Sequence, residues 1–116
     1  MPHIILETTS DLPENASVPD ILEALVAKLC TMETIDAKAV KAYHTLRSVW
    51  SMGAGACPGF AHCTLALMTG RDEALRKKIA DEMYATLKQQ FAQSLEHNEV
   101  GVTFELREMD KETYRK

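Results

Sequence analysis

At 116 residues the chain is sized for one domain, spanning residues 1–116, long enough to bury a core yet small enough to gain stability from oligomerisation. Thirteen Lys plus Arg against seventeen Asp plus Glu give a formal net charge of −4 without a block of five like charges, which argues against nucleic-acid binding. No apolar run nears the roughly 18 residues of a membrane span, and the start lacks the basic and apolar regions of a signal peptide, so a cytoplasmic protein without a membrane partner is expected.

The chain opens with "MPHIILETTSDL". Residues His3 to Thr8 are β-branched and apolar enough for a buried strand, and the polar, proline-bearing "TTSDLPENAS" follows as a loop. Pro2 fits the first position of a strand, where a missing N–H costs no ladder bond. If Met1 is removed, however, Pro2 carries a free secondary amine that can accept a proton. Ser17, Pro19 and Asp20 then form an S-x-x-D helix start, and Ile21, Leu22, Leu25, Val26 and Leu29 recur at helical spacing. The first helix is predicted from about Val18 to about Met32.

"VKAYHTLRSVW", Val40 to Trp50, predicts a second strand. One face carries Lys41, Tyr43, Thr45, Arg47 and Val49; the other carries Ala42, His44, Leu46, Ser48 and Trp50. "SMGAGACPG" is a loop, and Phe60 to Met68 a third strand. Asp72 is the expected N-cap of a long helix, in which Leu75, Ile79, Met83, Leu87, Phe91 and Leu95 step by four down one face to about Glu96. A fourth strand occupies roughly Val100 to Met109, and "DKETYRK" reads as a loose tail or an arm onto a neighbouring subunit. The order is two β-α-β units, about 2–50 and 60–109, giving an α/β (α+β) fold whose commonest home by pattern alone is the ferredoxin-like sandwich.

Most chemical readings of the side chains are weak. His62 and Cys63 are neighbours on a strand, face opposite ways, and so do not share an ion easily; no metal site is expected. Cys30, Cys57 and Cys63, an odd count, read as free structural thiols of a reducing compartment, with no base placed beside any of them. "GAGACPG" lacks the lysine of a phosphate loop and leads into a strand. Asp72 and Glu73 suit a helix start, Asp81 and Glu82 a solvated face, His3 and His44 packing, and His97 a helix C-terminus. Arg71 stands apart because it immediately precedes the long helix, whose first N–H groups already favour an anion. Together they predict a carboxylate site, against a solvated or locally paired arginine.

The proline behind the initiator, the segment "FAHCTL" with its F-x-H-x-T-L pattern, the Gly70–Arg71 step, the long amphipathic helix and the closing "VGVTFELREM" together resemble the tautomerase superfamily. Within it they look most like the 5-carboxymethyl-2-hydroxymuconate Δ-isomerase family, over nearly the whole chain. The resemblance implies a homotrimer of β-α-β repeats with two helices on one face of each four-stranded sheet. It implies Pro2 as general base, moving a proton along an unsaturated carboxylic acid from 2-hydroxydienoate to 2-oxo-enoate in aromatic-acid breakdown, without metal or organic cofactor. Arg71 matches one of the family's carboxylate-binding cations. A second arginine position aligns with Lys41, which departs from the pattern, and Arg47 on the same strand face is a lesser substitute.

The physical logic agrees with that assignment. A chain-terminal amine has a reference pKa of about 7.7–8.0, and burial and nearby cations both disfavour its charged form. An apolar strand start beside Arg71 and Lys41 therefore keeps a terminal proline neutral enough to act as a base. The same cations stabilise charge developing on a dienolate oxygen. Phe60 and Trp50 are candidates for pocket walls, with core packing the more economical role for each. Two other readings stay open: a phenylpyruvate-type keto-enol tautomerase, and a non-catalytic ferredoxin-like or cytokine-like binding module in which Pro2 merely begins a strand.

Overall fold

Alternation of apolar and polar residues sorts each strand between two faces, and the computed structural model, which describes residues 1–116, shows the result. Four strands form one sheet: β1 (His3–Thr9), β2 (Lys41–Arg47), β3 (Gly59–Met68) and β4 (Val100–Met109). Helices α1 (Val18–Leu29) and α2 (Glu73–Gln90), with the short α3 (Ala92–Glu96), cover one face. Ile4 and Leu6 of β1, Ala61, Cys63, Leu65 and Leu67 of β3, and Val100 and Val102 of β4 point into the core. They meet Ile21, Leu25 and Leu29 of α1 and Ile79, Met83 and Leu87 of α2. The opposite face of the sheet has no helix over it.

The strand order is β2-β1-β3-β4, with β1 parallel to β2, β3 parallel to β4, and β1 antiparallel to β3. Each β-α-β unit thus keeps its own two strands side by side, which differs from the split arrangement of the ferredoxin-like sandwich that element order alone suggested. Composition explains who takes the centre. β3 is buried over most of its length and β1 on every second residue, whereas β2, with Lys41, Thr45 and Arg47 exposed, and β4, with Glu105, Arg107 and Glu108 exposed, suit the edges.

Several boundaries depart from the sequence reading. α1 ends at Leu29 rather than Met32, because the Thr31 and Met32 amides turn back to the Lys28 and Leu29 carbonyls. The Ser17 side chain makes no cap; Ser17 closes a 3-10 turn, Pro13–Ser17, that runs directly into α1. β2 stops at Arg47, leaving Val49 91% exposed. Trp50 and Phe60 both lie outside the core: Phe60 is on the open sheet face, and the Trp50 indole donates to the Pro58 carbonyl at 2.9 Å, closing the loop between β2 and β3. The long helix breaks at fully buried Phe91. There the Glu14 carboxylate accepts from the Ser94 amide at 3.0 Å and from its hydroxyl at 2.6 Å, supplying from the first loop the cap that the opening amides of α3 lack. His97 closes the other end of α3 on the Gln93 carbonyl at 2.8 Å, as its position predicted.

Removing that cap leaves the buried Ser94 amide unpaired. Glu14→Ala is therefore expected to destabilise the chain by about 1–3 kcal/mol in urea unfolding, while the exposed control Glu23→Ala stays within about 0.5 kcal/mol of the parent. Equal midpoints for the two variants would show that the cap contributes nothing.

Candidate active site

Pro2 is buried at the threshold of β1. Having no N–H, it enters the sheet only as an acceptor, and its carbonyl takes the Lys41 amide at 3.0 Å. This bond opens the parallel ladder and sets His3 opposite Lys41 on one side and Ala66 on the other. The His3 ring lies between two tyrosines, bonded through Nδ1 to the Tyr43 hydroxyl at 3.1 Å and through Nε2 to the Tyr114 hydroxyl at 2.9 Å, edge-on to both rings. A neutral imidazole donates through one nitrogen and accepts through the other, so one tyrosine donates to it and the other receives. Burial, Lys41 and the chain's amino group all push the His3 pKa down, favouring that neutral ring. The segment after β4, expected to be loose or to reach a neighbour, is thus anchored on its own chain through Tyr114.

Arg71 is half-buried where β3 hands over to α2. Its Nε donates to the Thr34 hydroxyl at 2.8 Å, Nη2 to the Thr34 carbonyl at 3.1 Å and Nη1 to the Met68 carbonyl at 3.1 Å. Three of the five guanidinium N–H groups are taken, leaving one on each terminal nitrogen. The helix start itself is occupied differently from the sequence expectation: the Asp72 carboxylate already accepts the Leu75 amide at 2.8 Å. Arg71 therefore offers its anion-binding capacity as a side chain, with the Leu75 amide of the first turn of α2 capped by the protein.

Electrostatics at the chain start link these residues. The pKa of the Met1 amino group is lowered first by burial and then by the charges of Lys116, Arg71 and Lys41, with Asp36 opposing. Lys41 is exposed and its ammonium donates to the Ala39 carbonyl at 3.3 Å. Pro2, Arg71 and Lys41 are thus brought together at one end of the sheet. Arg47 is not: it stands opposite Thr9, six residues along β2 and on the order of 20 Å from Lys41, where it pairs with Glu7. Phe60, opposite Gly101 at the far end of β3, is equally distant from Pro2. Sequence reasoning missed Lys116, Asp36, Thr34 and the two tyrosines around His3, none of which has a local signal, since each reaches the site through the fold.

Two further residues settle differently from one another. His62 faces the open side of the sheet and is bonded to the hydroxyls of Thr103 at 2.7 Å and Thr64 at 3.2 Å, whereas Cys63 lies fully buried in the core, where burial pushes its thiol up to about 12. A shallow depression of about 300 Å³, lined by Ala80, Asp81, Tyr84, Thr103 and Phe104, lies at the β4 edge rather than beside Pro2. No helix is long and apolar enough to cross a membrane.

A family model described as 5-carboxymethyl-2-hydroxymuconate isomerase matches residues 2–116. In structure the chain is similar to a 5-carboxymethyl-2-hydroxymuconate isomerase from Deinococcus radiodurans R1, at 25% identity and a TM-score of 0.90 over 99% of this chain and 87% of that one. It is similar in fold to a 5-carboxymethyl-2-hydroxymuconate delta-isomerase at 18% identity and a TM-score of 0.83, over 100% of this chain and 87% of the other. A macrophage migration inhibitory factor-like protein from Entamoeba histolytica shares the fold at 16% identity and a TM-score of 0.65, over 99% and 94% of the two chains. No curated protein sequence matches the chain.

The charge arrangement makes a prediction independent of any reaction. Lys41→Ala should raise the pKa of the terminal amine and Asp36→Asn should lower it, read from the pH dependence of its acylation rate. A shift in the opposite direction for either variant would mean that these charges do not reach the amine.

Proposed function

The chain belongs to the 5-carboxymethyl-2-hydroxymuconate isomerase family and is an isomerase of the tautomerase superfamily, and we propose that it works through the amine of Pro2 after removal of Met1. The substrate is an unsaturated carboxylic acid of the 2-hydroxymuconate type, met in the breakdown of aromatic acids in the cytoplasm. The observation that carries this reading is the gathering of cations at the buried chain start, where burial and then the charges of Lys116, Arg71 and Lys41 depress the amine of Met1, one residue ahead of Pro2.

In the reaction, the neutral Pro2 nitrogen takes the proton of the 2-hydroxyl group. The electron pair left on oxygen becomes the 2-oxo carbonyl, the conjugated double bonds shift along the chain, and the prolinium returns its proton to carbon. One proton leaves oxygen and one reaches carbon, so the product is an isomer, and neither metal nor organic cofactor is required. Arg71 holds a carboxylate through the N–H groups left free on its two terminal nitrogens, a geometry that lysine cannot offer. Lys41 acts as a point charge near the amine, for a second carboxylate and for the charge on the dienolate oxygen. The face of the sheet left open by α1 and α2, with Tyr43 42% exposed, is the surface through which three chains assemble.

Intact mass should show loss of Met1 from natively produced protein, and Pro2→Ala should lower kcat/KM for ketonisation of a 2-hydroxymuconate by about 10²-fold or more. Equal rates in parent and variant would sink the mechanism. Lys41→Ala should move the acidic limb of the kcat/KM profile to higher pH, because losing a cation raises the pKa of the base. The same variant separates substrate classes: an unchanged turnover of a dicarboxylic enol would favour a phenylpyruvate-type tautomerase acting on a smaller acid. Sedimentation equilibrium should give three times the 12.9 kDa chain mass.

A further inference from the structure

Thr34 has a φ of 70°, in the left-handed region that β-branched residues rarely adopt. It stands between the end of α1 and the 3-10 turn Ala37–Ala39, in an exposed stretch with no regular structure of its own. A conformation so disfavoured persists when surrounding contacts hold it, and the contacts here come from one side chain. The hydroxyl of Thr34 receives Arg71 Nε at 2.8 Å while its carbonyl receives Nη2 at 3.1 Å, so a single residue grips one whole edge of the guanidinium. The Met68 carbonyl, at the end of β3, receives Nη1 and completes a three-point seat.

From this geometry we infer that Thr34 is a positioning residue for substrate binding: its left-handed turn presents hydroxyl and carbonyl together, fixes the plane of the Arg71 guanidinium, and directs the two free N–H groups at the incoming carboxylate. The inference rests on the reading of Arg71 as a carboxylate binder. An unanchored arginine would sample many rotamers, and ordering it would then fall to each substrate molecule that binds. Thr34 itself touches no reacting atom in this scheme. Its role is to make the ordering part of the fold, in the manner of supporting residues that lock a binding group through their own hydrogen bonds.

The test compares Thr34→Val, which keeps the shape and removes the hydroxyl, with Thr34→Ser, which restores it. Thr34→Val should raise KM for the enol acid about tenfold with kcat within about twofold of the parent, the pattern of lost ground-state and transition-state binding alike. In parallel, the Arg71 Nε–H resonance in a ¹⁵N-edited NMR spectrum should lose its protection from solvent exchange in Thr34→Val and regain it in Thr34→Ser. Thr34→Ala, which deletes the hydroxyl with less crowding, gives the same comparison if valine disturbs the turn. A normal KM and a protected Nε–H without the hydroxyl would overturn the positioning role while Arg71→Ala still raises KM. A normal KM in Arg71→Ala would instead overturn the reading of Arg71, and the positioning role with it.

Discussion

One hydrogen bond, from the Lys41 amide to the Pro2 carbonyl, sets the register on which the rest of the molecule depends. It seats β1 on β2 so that Ile4 and Leu6 fall on the helix side, opposite Ala42 and His44, and His3 and Ile5 fall on the open side, opposite Lys41 and Tyr43. A slip of one residue would reverse every one of these directions and expose the centre of the core. The same register carries the start of the chain to the end of the sheet where β3 passes into α2, and therefore to Arg71. Core formation and site formation are in this sense one event: the register that puts the apolar side chains on the helix side also decides which charges surround the amine.

The polar groups that the fold does bury are matched. The Thr8 hydroxyl, fully buried in β1, donates to Asn15 Oδ1 at 2.6 Å and so receives from His44 Nε2 at 2.7 Å, while the Asn15 amide donates to the Thr9 carbonyl. No buried side-chain polar atom is left without a partner. The contrast with the chain start is physical: there, several like charges are gathered around one amine with only Asp36 to offset them. Interior polar groups are satisfied because an unpaired one costs stability, whereas an amine at the chain start keeps access to water and is only made less basic by its neighbours.

Much of the fold was legible because periodicity reports local structure directly. The four strands, the two main helices and the N-cap at Asp72 follow from spacing alone. The strand order was not, since it depends on which strand is buried on both sides, and the break at Phe91 was not, since its cause is Glu14, some eighty residues earlier. The site divides the same way. Pro2 and Arg71 stood out by position and Lys41 through the resemblance, and the fold gathers them at one end of the sheet. Arg47 was grouped with Lys41 because both lie on one face of β2, but face parity says nothing about distance along the strand, and Arg47 ends beside Glu7. Lys116 and Thr34 were invisible because nothing nearby in sequence marks a residue that arrives through tertiary folding.

The two β-α-β units give the molecule an internal near-symmetry that includes a second proline. Pro58 stands immediately before β3, whose first residue pairs with the first residue of β4, just as Pro2 stands before β1, whose first residue pairs with the first residue of β2. The frame thus sets a proline at the head of each parallel pair, buried at Pro2 and exposed at Pro58. The Pro58 nitrogen is an amide, acylated by Cys57, and takes no proton at neutral pH, whereas the proposed mechanism frees the Pro2 nitrogen by removal of Met1. On that mechanism the two prolines of the repeat part company on three counts: the burial of Pro2, the cations gathered at its end of the sheet, and the loss of the peptide bond from its nitrogen.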